Sequence, residues 1–319
     1  MSWKIIAISL IFIFIYGCSE KIPSTQSLII KDDTENVEQP DNGNIDLNLS
    51  NIIGGNQPGM ILGLTDNSSI NEKQTIHKIE PGGTYRPNVY IKNNLPKKYT
   101  YRIFFFRNYK QEKVIIDKEN LDYIDLHLES GDDRTLNVQF TSIEEGLNDI
   151  LIIAVRDPEN YLNKLQYIDS SQVYLSRRVA LISENDKIPS IDYFPIIAGN
   201  IDEKEIYTDP FISLKNNDFM SSLMTKTEIS NAALSMGTKE VNNKFAIISI
   251  MGTQQISLND NDFIEVKKTG NFDMPIHYKF NNSKSQNVII ATIENPFTLD
   301  ESLLLIEGVK FTNLITISP

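Results

Sequence analysis

A single cysteine, Cys18, and three histidines, His77, His127 and His277, are present in this chain of 319 residues. Without a second cysteine no internal disulfide can form, so stability must come from burying a core. A zinc site would need further ligands at close spacing, and the scattered histidines do not supply them. His127 lies between Leu126 and Leu128, and His277 between Ile276 and Tyr278, so each fits a strand residue facing solvent or held at a sheet edge. The chain also lacks a Gly-x-Ser-x-Gly elbow, a His-Glu-x-x-His pair, a phosphate-cradling glycine loop and a dinucleotide fingerprint. Positive charge is short as well: 30 Lys and Arg stand against 42 Asp and Glu, a formal net charge of -12. That balance argues against nucleic acid and against electrostatic adhesion to anionic lipid. Nothing in the composition calls for a cofactor.

What is present begins with the first eighteen residues. Lys4 precedes an apolar run from Ile5 to Tyr16, which ends in Ile15-Tyr16-Gly17-Cys18. The run is too short for a hydrocarbon core, which needs roughly 20 apolar residues, but it fits the apolar region of a secretion signal. With Gly17 and Cys18 in place, Ile15 acceptable and Tyr16 bulkier than usual, the stretch resembles the lipobox of bacterial lipoproteins. That resemblance implies removal of residues 1–17, diacylglycerol on Cys18 and a chain held on the extracytoplasmic face of a membrane. It covers these residues alone. The other reading is a signal cut elsewhere, with Cys18 lost or left as an ordinary thiol.

Losing the signal with Lys4 takes the formal charge from -12 to -13. Much of the acidity sits just after it: Glu20, Asp32, Asp33, Glu35, Glu38, Asp41 and Asp46 face only Lys21 and Lys31. Apart from Leu28-Ile29-Ile30 the segment has little to bury, so residues 18–50 are expected to be a flexible acidic tether, extended by its own charge.

From Asn51 onward short apolar and β-branched runs alternate with turn residues. Strands are expected at Met60 to Leu64, Tyr85 to Lys92, Tyr99 to Asn108, Lys113 to Ile116, Ile124 to Leu128, Arg134 to Phe140, Asp149 to Val155 and Val173 to Ile182. Pro81-Gly82-Gly83, Asn93-Asn94 and Ser130-Gly131-Asp132-Asp133 sit where hairpins turn. A second set follows the connector at Lys187-Ile188-Pro189, at Phe211 to Lys215, Lys244 to Met251, Ile256 to Leu258, Phe263 to Lys267, Ile276 to Phe280, Asn287 to Ile293 and Phe311 to Ile317. The expected fold is all-β, two tandem immunoglobulin-like β-sandwich domains spanning 51–186 and 187–319. Ile103-Phe104-Phe105-Phe106 and Ile150-Leu151-Ile152-Ile153 are apolar at every position, so both faces of those strands must be covered, by the sheet's own partner or by the neighbouring domain.

The two sets echo each other. Ile91-Lys92-Asn93-Asn94 recurs as Leu214-Lys215-Asn216-Asn217, and Ile150 to Pro158 recurs as Val288 to Pro296, with a last strand some way beyond each. Duplication and coincidence both account for this. Ser221 to Asn243 has no visible counterpart and could hold a helix, a hairpin or a loop.

Asp132-Asp133 and Asp260-Asn261-Asp262 follow strands, where such residues make side-chain turns, and neither has the glycine and distal Glu of a calcium loop. Glu144-Glu145 before Gly146 fits a short helical turn. One patch runs against the net charge: Lys97, Lys98, Arg102, Arg107 and Lys110 interleave with Tyr99, Tyr101 and Tyr109. Cations and aromatics so mixed can hold sugars or anionic polymers. The same pattern fits a central strand with aromatic core residues and edge-protecting cations. Three function classes remain: a non-catalytic surface module binding another envelope protein, a polymer-binding lipoprotein using this patch, and a hydrolase with two carboxylates brought together by the fold. The first requires nothing that the chain lacks. Its anchor is testable: Cys18→Ala should abolish incorporation of labelled fatty acid and leave the protein uncleaved or free in the medium. A variant that stays in the membrane fraction at mature size would sink the anchor reading.

Overall fold

A computed structural model describes residues 59–66, 75–163, 166–199, 201–214, 223–281, 283–304 and 308–319. The expected signal, Cys18 and the acidic segment lie outside the described residues. The fold is all-β, two sandwiches in tandem.

The first sandwich contains β1 (Met60–Asp66), β2 (Ile76–Ile79), β3 (Pro87–Asn93), β4 (Tyr99–Arg107), β5 (Lys110–Gln111), β6 (Val114–Ile116), β7 (Glu119–Leu121), β8 (Tyr123–Leu128), β9 (Asp133–Gln139), β10 (Gly146–Arg156) and β11 (Tyr174–Ser183). The one-turn helix α1 (Ser170–Val173), capped by the Asp169 carboxylate, precedes β11. One sheet runs β1-β3-β9-β6-β7, and the other runs β2-β11-β10-β4-β5 with β8 also on β4. The second sandwich contains β12 (Phe194–Ile196), β13 (Phe211–Leu214), β14 (Leu223–Thr225), α2 (Lys226–Ile229), β15 (Ala232–Thr238), β16 (Asn243–Met251), β17 (Gln254–Ile256), β18 (Phe263–Val266), β19 (Gly270–Pro275), β20 (Gln286–Glu294), β21 (Val309–Phe311) and β22 (Ile315–Ser318). Its sheets run β12-β18-β16-β20-β22-β14 and β13-β15-β19.

The two halves share part of their topology. In each, the last strand lies antiparallel to the long central one (β11 on β10, β22 on β20) and takes a short early strand in parallel on its far side (β2 on β11, β14 on β22). The echo of Ile150 to Pro158 in Val288 to Pro296 falls on equivalent strands, β10 and β20. The other echo does not: Ile91 ends β3, whose topological partner is β15, whereas Leu214 ends β13, and Lys215 to Asn217 lie outside the described residues. Ser221 to Asn243 contributes β14, α2 and β15, the counterparts of β2 and β3. The expected strand at Ile276 to Phe280 is corrected to β19, just before it; Pro275 has no N–H to extend the ladder. Glu144-Glu145 forms a bend before Gly146 at φ +100 rather than a helical turn.

Alternation along the central strands builds three cores from four sheets. On β4 and β10, Tyr101, Ile103, Phe105, Ile150, Ile152 and Ala154 face β1, β3, β6 and β9 within the first sandwich. On β16 and β20, Phe245, Ile247, Val288 and Ile290 face Ile212, Leu234, Met236, Phe272 and Met274 within the second. The opposite faces meet each other. Phe104, Phe106, Leu151, Ile153 and Val155 pack with Ala246, Ile248, Ile250, Ile289, Ala291 and Ile293 in one continuous buried cluster. The strands that were apolar on both faces are thus covered on both faces, once by their own sandwich and once by the other.

A break near Lys187 would separate the strand sets but expose this middle core on each half. The chain is expected to unfold in one calorimetric transition. Ile153→Asp, which points an unpaired carboxylate into the middle core, should destabilise both halves together by several kcal/mol, comparable to the ~5–15 kcal/mol stability of a domain. A variant that keeps one full-sized transition at the original temperature would show that the cores are independent.

Candidate functional site

Polar groups buried in an apolar layer must be paired, and the middle core contains one such group of residues. Arg178 on β11 and Asp149 on β10 are 1% and 0% exposed at their side chains. Arg178 Nη2 donates to Asp149 Oδ2 at 2.6 Å, and Nε donates to Oδ1 at 3.0 Å. Tyr109 donates its hydroxyl hydrogen to Asp149 Oδ2 and accepts from Arg178 Nη2 at 2.8 Å. The remaining valences cross the seam. Arg178 donates to the carbonyls of Glu294 at 3.2 Å and Asn295 at 3.0 Å, and Phe297 N–H reaches Asp149 Oδ2 at 3.1 Å. Asn295 and Phe297 adopt φ 45 and φ 59 to aim these groups inward. Gly308 gives the guanidinium room: a Cβ there would lie 3.0 Å from Arg178 Nη1 and 2.2 Å from the Leu303 carbonyl oxygen. Around the cluster Tyr109, Phe297 and Phe263 contact one another at ring-centroid distances of 5.2 to 6.5 Å.

A second tie joins the sheet edges. Gln111 N–H donates to Gln255 Oε1 at 2.6 Å and Gln255 N–H to Gln111 Oε1 at 2.7 Å, so the side chains imitate a strand ladder between β5 and β17. Arg102 Nη1 adds a bond to the Gly252 carbonyl at 3.3 Å.

The patch read from the sequence is distributed by the same alternation. Tyr101 is buried in the first core and donates to Asn93 Oδ1 at 2.8 Å. Tyr109 is buried in the middle core. Arg102 is buried and holds Asp125 with two bonds at 2.8 and 2.7 Å. Arg107 pairs with Glu112 at 2.7 Å and caps the Thr141 and Ser142 carbonyls, and Lys98 pairs with Glu129 at 2.9 Å. Tyr99 is flanked by Lys97 at 5.3 Å and Arg156 at 4.9 Å. The pattern therefore forms no single stripe, and three of its cations neutralise neighbouring carboxylates. Lys110 is exposed and lies, with Arg107, on a cleft of about 630 Å³ whose far wall is Phe263 and Phe297 of the second sandwich. Glu112 and Glu144 share this cleft. Burial raises the Glu112 carboxyl above its ordinary value, opposed by Arg107 and reinforced by Glu144.

The histidines and acid runs fall in structural roles. His127 Nδ1 meets Thr100 Oγ1 at 2.9 Å on the edge strand β8, and His277 lies 3.5 Å from Asp260. Asp132 accepts from Glu129 N–H in its hairpin, and Asp262 accepts from Ser257. Among the described residues no three His, Cys, Asp or Glu side chains are grouped to hold a metal ion. Sequence reasoning missed Asp149 and Arg178. Asp149 stood at the border of an apolar run, and a charge adjoining a fully buried strand was the only available signal.

No family model matches the chain, and no curated protein matches it. Solved structures do. The CARDB domain of the PF1109 protein from Pyrococcus furiosus is 14% identical, with 40% of this chain and 96% of that one covered and a TM-score of 0.26. The PapD-like domain 7 of human CEP192 is 12% identical over 40% and 87% of the two chains, TM-score 0.24. The chaperone–tip adhesion subunit complex CsuC–CsuE of Acinetobacter baumannii is 12% identical over 80% and 97%, TM-score 0.24. At that level the likeness assigns neither family nor function.

Arg178→Met should cost ~3–5 kcal/mol in denaturant unfolding, because it leaves Asp149 buried without its cation; replacing both partners with apolar residues should recover most of the loss. Burial, then the Asp149 carboxylate, holds the Tyr109 hydroxyl well above its ordinary 10.0. The unfolded chain releases this proton near pH 10 and the folded chain keeps it. The resulting stability is complete below pH 10 and falls as pH rises beyond it. Tyr109→Phe should make that alkaline decline shallower; an unchanged slope would show that Tyr109 does not titrate on unfolding.

Proposed function

We propose that the chain is a membrane-anchored extracytoplasmic lipoprotein working as a non-catalytic, protein-binding module. The observation that supports the binding-module part is the middle core, sealed by the Arg178–Asp149–Tyr109 cluster, which fixes the two sandwiches in one arrangement; the anchor rests on Gly17-Cys18 in the sequence. A fixed pair can present a surface made from both halves without paying the ordering entropy that two loosely linked domains would lose on binding. The cleft at Lys110 is such a surface, with basic and acidic groups from the first sandwich and the half-buried Phe263 from the second. Its mixed charge suits a polar protein rim beside the half-buried Phe263 better than it suits an anionic polymer, for which Arg107 is already occupied by Glu112. The partner is another protein of the envelope that meets this seam, and the lipid on Cys18 keeps the module beside it.

Photo-cross-linking in intact cells tests the reading. A photoreactive residue in place of Lys110 should give a discrete adduct with one protein, and the same residue in place of Lys118, on the β6–β7 hairpin, should not. Absence of an adduct from position 110, or the same adducts from both positions, would overturn it.

A further inference from the structure

A second cleft on the seam, about 470 Å³, is not needed for that function. Tyr123 comes from β8, Glu159 and Tyr161 from the segment after β10, and Gln254, Tyr278 and Gln286 from the second sandwich. The walls are tied in place. Asn287 Nδ2 donates to the carbonyls of Pro158 and Asn160, both at 3.0 Å, and Thr316 fixes the Asn287 oxygen at 2.6 Å. The site is therefore largely formed before anything binds, and its volume falls in the ~300–1,000 Å³ range of small-ligand clefts.

Among the described residues its lining is aromatic and polar, without a free cation. Tyr161 keeps 47% of its surface exposed. Arg102, the cation among its described lining residues, is committed to Asp125 and lies 3.5 Å from Glu159, so it is not free for a phosphate or sulfate. Gln286 Oε1 is buried with no hydrogen-bond partner among the described residues. The terminal torsion of a glutamine is soft, so this carbonyl can turn to meet a donor brought into the cleft. A carboxylate at Glu159 and amides at Gln254 and Gln286 accept and donate hydrogen bonds at several points, whereas a peptide anchor would need a closed apolar pocket.

We propose that this cleft binds a neutral saccharide. A sugar ring stacks on Tyr161, and its hydroxyls bond Gln286, Gln254 and Glu159. The proposal does not depend on the anchor or on the partner at Lys110.

Isothermal titration of the full chain, in a detergent without a sugar headgroup, tests it with cellohexaose, maltohexaose and chitohexaose. At least one should bind saturably. Tyr161→Ala and Gln286→Leu should each weaken that binding tenfold or more, and Tyr207→Ala, exposed on the second sandwich away from this cleft, should leave it unchanged. Failure of all three sugars to saturate, or binding that survives both cleft substitutions, would overturn the proposal. So would loss of the Lys110 adduct in Tyr161→Ala without any sugar binding, since the cleft would then belong to the protein partner. The Lys110 adduct is read independently, so failure of one reading leaves the other standing.

Discussion

Strands with no polar face constrain the whole molecule. A strand such as Ile150 to Val155 cannot border water on either side, so the sheet that contains it needs a cover on both. The same holds for Ala246 to Ile250 and Val288 to Ile293 in the other half. Each outer sheet can cover one face only, and the cheapest cover for the two remaining apolar faces is each other. The stack of four sheets follows from that, and so does the position of everything on the seam. A buried ion pair within the stack is a poor source of net stability, since removing Arg178 and Asp149 from water costs several kcal/mol per ion. Its geometry suggests a different value: both ions reach backbone groups of Glu294, Asn295 and Phe297, so sliding the second sandwich by one residue would leave them unpaired. An apolar interface alone tolerates such slips, and a directional one does not.

Much of this was legible in the sequence because strand alternation is a local property. Leu136-Asn137-Val138-Gln139-Phe140 places Leu136 and Val138 inward and Asn137 outward, as the burial of β9 has it. The runs apolar at every position announced a second cover. Strands with weak apolar signal were missed: β15 holds Ser235 and Gly237 within Ala232 to Thr238, and β19 begins at Gly270 and carries Asn271 and Asp273. Their inward residues, Leu234, Met236, Phe272 and Met274, alternate properly, but small and polar partners on the outer face dilute the pattern. The shift from Ile276–Phe280 to β19 has the same origin. Apolar density near Ile276 outweighed the true ladder, which Pro275 closes.

The site was less legible because its residues meet only in the stack. Gln111 and Gln255, and Arg102 and Gly252, are far apart along the chain and approach only when the two apolar faces close. A patch of cations and aromatics could be counted in the sequence, but not its destination. Period two sends Tyr101 and Arg102 to opposite faces of β4, one into the first core and one to the seam, so neighbours in sequence end in different environments. Charge pairing then removes most of what composition suggested. Lys98, Arg102 and Arg107 each find a carboxylate, and on a chain with more acids than bases this is the expected fate of a basic run. What remains available for recognition is therefore located by shape: the clefts at Lys110 and at Tyr161 lie beside the β5–β17 tie, and both are bounded by residues from the two halves. Any ligand at either cleft reads the relative placement of the sandwiches as well as their side chains, so the same middle core that stabilises the molecule also sets the geometry of whatever it binds.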